Sequence, residues 1–309
     1  MSDVFLKHSD IDLPLVSIII LSYNHSSFII RCLTSLANQS YHNIEVIIID
    51  DCSKDDSVKL IKEFILLRPN FKCYVNDVNI GVTKNLNKAI SEYINGKYLF
   101  LCASDDILEE NAMKVLTTFL EINPQYEVCY GRVRYIDDKD NIGKEFRNDK
   151  ISGDIFLEVI TGRKCIPQQW LFRKSNIHSK IGLYDITIGV EDQFMFNQIA
   201  MNFKIGFIDE FIVRYRIHDG NTTKRHLYIY EESKKLLNFY VDKPFFDEIL
   251  SEQRINWFLL LSANNKIKSL QYLKFALIKF YDKRVILGFI NLLEISTLYK
   301  WLKKSTNKL

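Results

Sequence analysis

Apolar residues along this chain change their spacing repeatedly, and each change marks a predicted element. Val16–Leu21, Glu45–Ile49 and Tyr98–Cys102 are short apolar runs rich in β-branched or aromatic side chains, the pattern of strands buried on both faces. Phe71–Val75 reads as a shorter strand of the same kind. Between them, Phe28, Ile29, Cys32, Leu33 and Leu36 recur at helical spacing, as do Val58–Leu67 and Thr83–Tyr93. After Asp106 a further helical pattern is predicted to start at Ile107 and run through Met113, Leu116 and Leu120. Alternating strands and helices with short connections predict a mostly parallel, Rossmann-like α/β sheet with helices on both faces. Further on, Val128–Ile136 predicts a strand and Asp137–Gly143 a polar turn. Asn148–Lys164 reads as loop and short helix, and Ile166–Arg173 enters another strand. Glu191 and Asp192 open a helix, and Lys204–Ile208 and Ile212–Ile217 read as two separate strands.

The polar residues that interrupt this pattern fall at strand ends. The first strand stops at Ser22-Tyr23-Asn24-His25, the second at Asp50-Asp51 and the fourth at Ala103-Ser104-Asp105-Asp106. In open α/β sheets ligands bind at the carboxyl edge of the strands. Adjacent carboxylates repel each other and ionise more easily with a hard cation between them and a phosphate. One such pair is equally well read as a helix cap. Two pairs at one edge point to a cationic, hydroxyl-rich or metal-bound ligand. No GxGxxG follows the first strand and no Walker sequence occurs, so a dinucleotide or P-loop reading is weak.

Composition changes this picture little. The 309 residues are 47% hydrophobic and 26% charged, enough for one large α/β domain with an appendage. No cationic, apolar leader precedes Leu13, and no uncharged apolar run nears the ~18 residues a membrane helix needs, so a cytoplasmic location is expected. Cys32, Cys52, Cys73, Cys102, Cys129 and Cys165 form no CxxC pair and read as reduced core residues. Charge does alter the reading. Residues 224–309 hold 16 of the 41 basic and 8 of the 38 acidic residues, so a basic tail follows an acidic body.

Six stretches taken together, SIIILSYNHSSFIIRCLTSLANQSY, EVIIIDDCSKDDS, NIGVTKNLNKAI, KYLFLCASDDIL, GVEDQFMFNQIA and VRYRIHDGNTT, resemble the family 2 glycosyltransferases. These are inverting enzymes with the GT-A fold. The likeness implies a GT-A domain over residues 1–223 and a basic, mainly helical C-terminal region over 224–309. It further implies that Tyr23, Asp50, Lys84, Asp105 and Arg216 bind a UDP-sugar. Asp106 and His218 would hold Mn²⁺ or Mg²⁺, and Asp192 would act as catalytic base. Gln168, Gln169, Trp170 and Glu191 are candidates for the acceptor pocket. Two positions depart from the family pattern: Ala103 where many relatives carry Asp, and Leu86 in place of an Arg, leaving Lys84 as the nearest basic residue.

The implied reaction moves a hexose, glucose or galactose, from a UDP-sugar to a hydroxyl of a lipid-linked saccharide and forms a β-linkage. An undecaprenyl-diphosphate acceptor in bacterial O-antigen or capsule synthesis is expected. No nucleic-acid partner is. A degenerate GT-A binding or scaffold module, or a sugar nucleotidyltransferase, is the alternative. Each residue has a blander reading as well: Glu191-Asp192 as acids favoured at a helix N-terminus, His218 as a loop histidine, Trp170 as core. For the tail, Tyr272, Leu273, Phe275, Leu277, Ile278 and Phe280 interleave with Lys274, Lys279, Lys283 and Arg284. Ile295, Leu298, Tyr299, Trp301 and Leu302 precede Lys303 and Lys304. Packing on the catalytic domain, docking on the inner membrane surface and a subunit interface all remain open for it.

Overall fold

The β-branched runs form the strands they predict. A computed structural model describes residues 13–218 and 225–294. Its first half alternates β1 (Val16–Ser22), α1 (Ile29–Ala37), β2 (Ile44–Asp50), α2 (Ser57–Ile65), β3 (Phe71–Val75), α3 (Val82–Lys88) and β4 (Tyr98–Ala103), with α3 continuing as a π-helical turn over Ala89–Tyr93. β1 pairs in parallel with β2 and β4, with Ser22 opposite Asp50 and Leu21 opposite Ala103. The three strands therefore end level with one another, and their polar extensions emerge at a single edge. The pleat divides the apolar residues between two faces. Ile18, Ile20, Val46, Ile48 and Phe100 share a core with Cys32, Leu33 and Leu36 of α1 and Ile61 of α2. The alternate residues Ile19, Ile47, Ile49 and Leu99 are buried as well, at 0–1% exposure. Each such side chain contributes about 1.5–3 kcal/mol when fully buried.

The chain after Asp106 departs from expectation. Ile107 and Leu108 do not start a helix. They form a two-residue strand, β5 (Ile107–Leu108), and the helix α4 begins only at Ala112 (Ala112–Ile122). Asn111, not an aspartate, occupies its N-cap position. The cause is tertiary. Ile107 and Leu108 pair antiparallel with Arg214 and Val213, which gives their backbone groups partners a helix start would leave unmade.

The chain continues with β6 (Val128–Ile136), β7 (Ile142–Glu145), α5 (Phe156–Ile160), β8 (Trp170–Arg173), α6 (Lys174–Lys180), α7 (Glu191–Asn202) and β9 (Ile205–Arg216). Sheet order is β3-β2-β1-β4-β8-β6-β9-β5, with β7 beside β6. β8 runs antiparallel to both β4 and β6, while β9 runs parallel to β6. The two strands expected over 204–217 are one. Between the pairs Tyr130–Phe207 and Arg132–Phe211, β9 spends more residues than β6. The excess bulges outward and carries the exposed Asp209 and Glu210, whose charge breaks the apolar pattern in the sequence.

Cα proximity divides the chain into two compact units. One contains the chain up to Phe156 with Cys165–Thr187 and Glu191–His218; the other contains Leu157–Lys164, Ile188–Val190 and the chain after His218. The second unit is helical: α8 (His226–Leu237), α9 (Phe246–Asn264), α10 (Lys266–Ser269), α11 (Leu273–Ile278) and α12 (Lys283–Leu292). Ile255, Phe258, Ala276 and Val285 form its buried centre. The two short pieces belong to it through polar ties: Arg163 pairs with Glu248 at 2.7 Å, Gln253 Nε2 donates to Ile160 O, and Tyr228 Oη donates to Gly189 O. Among the described residues no helix is long and apolar enough to cross a membrane. Ile295–Leu309, with the expected Trp301 and Lys303, lie outside the described residues, as do Asp219–Lys224.

The bulge over β6 sets a stability test. A Cβ on Gly131 would lie 2.2 Å from Ile212 Cγ1 and 2.7 Å from Glu210 O, and backbone cannot yield as a side-chain tip can. Gly131→Ala should lower stability by about 1–3 kcal/mol, read as an earlier urea midpoint with an unchanged m-value.

Candidate active site

At the level edge of β1, β2 and β4 the loops are tied to one another before any ligand is considered. Asn24, at a φ of 55°, donates its N–H to Ser53 Oγ and accepts from Lys54 N on its own Oδ1. His25 N donates to Ser57 Oγ and Ser26 N to Asp55 Oδ2. Asp50 is fully buried and accepts from Ser53 N and Ser53 Oγ at 2.8 and 2.7 Å. Asp51 takes a different part: its carboxylate accepts from Ile80 N, Gly81 N and Asn76 Nδ2. Burial alone would raise the Asp51 pKa, but these bonds hold it below the usual carboxylate range. Tyr23 is exposed beside this platform, and Lys84 is exposed on α3. Leu86, which replaces the expected Arg, is core at 5% exposure, while Asn87 bonds both N–H and C=O of Tyr184.

The second aspartate pair meets the end of β9. Asp106 Oδ1 accepts from Arg216 N at 2.8 Å, and Asp105 Oδ2 lies 2.9 Å from His218 Nε2. Arg216 has no solvent exposure. Its guanidinium donates to Asp105 O and Asp137 O, pairs with Asp140 at 2.5 Å and lies over the Phe28 ring. Direct contact between Arg216 and a donor diphosphate would require these bonds to be exchanged. Arg31 reaches the same Asp140 oxygen at 3.0 Å.

Residues that no sequence motif singled out complete the cluster. His25 Nδ1 lies 2.6 Å from Ser104 Oγ, and its ring meets that of His218 edge-on at 5.9 Å. Burial lowers the His25 pKa and nearby His218 lowers it further, against the charges of Asp105 and Asp55. In the sequence, His25 was part of a polar turn and Asp140 part of a surface turn; only the partners, 79 and 76 residues away, reveal them.

Burial pushes Asp106 well above the carboxylate range and Asp105's charge adds to this, with Arg216 offsetting only part. A buried, oxygen-rich position whose carboxyl is pushed toward its neutral form suits a hard divalent cation, which would favour ionised Asp106. Among the described residues, no three His, Cys, Asp or Glu side chains are arranged to hold an ion by themselves. A fit therefore needs ligand oxygens as well, the usual arrangement where one or two carboxylates share an ion with phosphates.

A second group surrounds the first turn of α7. Gln168 Nε2 donates to Gln193 Oε1, and Gln193 Nε2 to the buried Asn197 Oδ1. Trp170 is buried, meets Phe196 edge-on at 4.5 Å, and its Nε1 has no hydrogen-bond partner among the described residues. Gln169 is half-buried beside it. Glu191 is raised to about 7, first by burial and then by the charge of Asp192. Surrounding protein raises Asp192 too, although the residue is exposed at the surface of the first turn.

The family model described as Glycosyl transferase family 2 matches residues 17–181, more than half of the chain. The chain belongs to glycosyl transferase family 2. A Haemophilus influenzae protein described as an uncharacterized glycosyltransferase is 24% identical, over 96% of this chain and 98% of its own. Two solved structures share the fold. Residues 1–349 of S. aureus TarS, in complex with UDP-GlcNAc, superpose with a TM-score of 0.64 at 16% identity, covering 91% of this chain and 88% of that one. The mannosyltransferase from Pyrobaculum calidifontis in complex with GDP-Man and Mn²⁺ gives 0.58 at 12% identity, covering 94% and 90%. The architecture is GT-A with C-terminal helices, as expected. The family 2 match runs from β1 to the end of α6, so it includes the Asp50 and Asp105–Asp106 loops and stops short of Asp192 and Arg216.

Arg216 offers a direct test of what holds this edge. Arg216→Met leaves Asp106 beside Asp105 without the buried cation. It should lower stability by about 1–3 kcal/mol, since the Asp105 and Asp137 carbonyls lose their donor while the partly exposed Asp140 keeps Arg31. Chemical denaturation measures it. Wild-type stability combined with lost donor affinity would instead place Arg216 on the ligand.

Proposed function

We propose that this family 2 enzyme transfers a hexose, glucose or galactose, from a UDP-sugar to a hydroxyl of an undecaprenyl-diphosphate-linked saccharide. The work would be done at the cytoplasmic face of a bacterial membrane, during O-antigen or capsule assembly, and would leave a β-linkage. The observation that carries the reading is the edge itself: Asp50 and the Asp105–Asp106 pair emerge from strands that end level, beside exposed Tyr23 and a mostly buried His218. The UDP-GlcNAc in the TarS structure of the same fold supports a UDP-sugar as donor.

In this reading Tyr23 and Asp50 hold the nucleotide and Lys84 contributes charge. Asp105 and Arg216 secure the donor end of the site, Arg216 chiefly by fixing the Asp105 backbone. Asp106 and His218 would hold Mn²⁺ or Mg²⁺ against the diphosphate. Bound there, the ion would offset the charge that develops on departing UDP. Asp192 takes the proton from the acceptor hydroxyl as its oxygen attacks C1 and UDP leaves from the opposite face, which inverts the anomeric centre. Gln168, Gln169, Trp170 and Glu191 line the acceptor side. The raised pKa values of Glu191 and Asp192 suit a base that must exchange protons near neutral pH.

A panel of sugar nucleotides, scored by UDP release with a lipid-linked acceptor extract, tests the function. UDP-glucose or UDP-galactose should be turned over, and EDTA should abolish turnover until Mn²⁺ or Mg²⁺ is restored. Release from none of the panel would leave a binding module. Full turnover in EDTA would remove the metal from the scheme.

Asp192→Asn should lower kcat by roughly 10² or more while leaving donor affinity near wild type. Burial raises the Asp192 carboxyl above the usual aspartate range, so kcat/KM should rise with pH through an acid limb displaced upward from that range. Asp192 ionises first and its charge is part of what raises Glu191, so Glu191→Gln should leave the acid limb in place with most activity kept. An acid limb that moves would make Glu191 the base.

A further inference from the structure

Among the described residues, the second unit carries an apolar surface that none of its helices covers. Helix α12 buries Val285 and Gly288 against Phe258, with Phe289 and Leu292 beside them. At 100° per residue, Lys283, Ile286, Leu287 and Ile290 fall on the opposite side. Ile286 and Leu287 are 46% and 51% exposed. The turn from α11 into α12 extends the same surface, with Leu277, Ile278, Phe280 and Tyr281 at 57–67% exposure. A helix apolar on both faces normally has both covered.

Charge decides what fits. Lys274, Lys279 and Lys283 border the apolar tip, and none forms an ion pair among the described residues. The acid in this stretch, Asp282, is already bonded to Arg284. A second copy of the chain meeting this tip across a two-fold axis would set lysine against lysine. Residues 295–309, which follow, add Lys300, Lys303, Lys304 and Lys308 and no acid, so they bring the same charge and not the opposite one.

We propose that the α11–α12 tip docks on an anionic lipid bilayer. Leu277, Ile278 and Phe280 enter the boundary between headgroups and acyl chains, Tyr281 sits at headgroup depth, and the three lysines lie over the lipid phosphates. Phe280 and Tyr281, with ring centroids 6.0 Å apart, present the aromatic part of this surface. Aliphatic and aromatic side chains flanked by cations are the combination that binds an interface reversibly. This inference goes beyond donor and acceptor chemistry and does not depend on turnover.

The test is co-sedimentation of the full-length protein with sucrose-loaded vesicles, either phosphatidylcholine alone or with 30% phosphatidylglycerol, at ~50 mM salt. The anionic vesicles should take up the wild type and the neutral ones should not. The triple variant Lys274→Gln, Lys279→Gln, Lys283→Gln should partition about 10²-fold more weakly, from ~1 kcal/mol per basic residue near the surface. Ile278→Ser with Phe280→Ser should lose at least tenfold. These positions are exposed, so circular dichroism and donor hydrolysis should match wild type. Wild type that stays in the supernatant, or variants that bind as well as it does, overturns the proposal. So does a wild-type dimer that the serine variant converts to monomer without any vesicle binding. Neither result bears on the UDP-sugar reading, whose own failure would show as absent UDP release with vesicle binding intact.

Discussion

The Arg216 guanidinium is the interaction on which this edge of the sheet depends. Adjacent aspartates at the end of a buried strand repel each other, and burial makes each charge expensive. β9 ends beside them, and its last residue supplies both a backbone N–H to Asp106 and a buried cation to the Asp105 carbonyl. The same cation pulls in the Asp137–Asp140 turn, which Arg31 of α1 secures from outside. One side chain thus joins the ends of β4, β6 and β9 to α1. His218, two residues beyond, reaches Asp105 only because that junction is closed.

The other half of the edge is built differently. Around Asp50 and Asp51 the work is done by uncharged donors: Ser53, Asn76 and the N–H groups of Ile80 and Gly81. The Asp51 carboxylate therefore stays ionised without a cation. Asp106 is the reverse case, a carboxyl that burial first and then Asp105 push toward its neutral form.

How much of this the sequence disclosed depends on how local each cause is. β1, β2, β3, β4 and β6 were legible because a β-branched run fixes both conformation and burial within a few residues. Glu191 and Asp192 were legible as a helix opening for the same reason. Ile107 and Leu108 misled because two apolar residues fit the phase of the helix that follows; only pairing with β9 makes them a strand. Asp209 and Glu210 split one strand into two on paper because a bulge can place charge outside a sheet without ending it.

The sequence by itself determined the alternation of strands and helices, the pairs of aspartates at their ends and the family that this order resembles, since each follows from neighbouring residues. The tertiary structure alone decided which groups share a site. His25 lies by Ser104, Asp140 closes over Arg216, and Gln168 meets Gln193, all across separations that no periodicity spans. It also decided charge states. Burial and neighbours raise Asp106 and Glu191 and hold Asp51 down, although the three are the same kind of group in the chain.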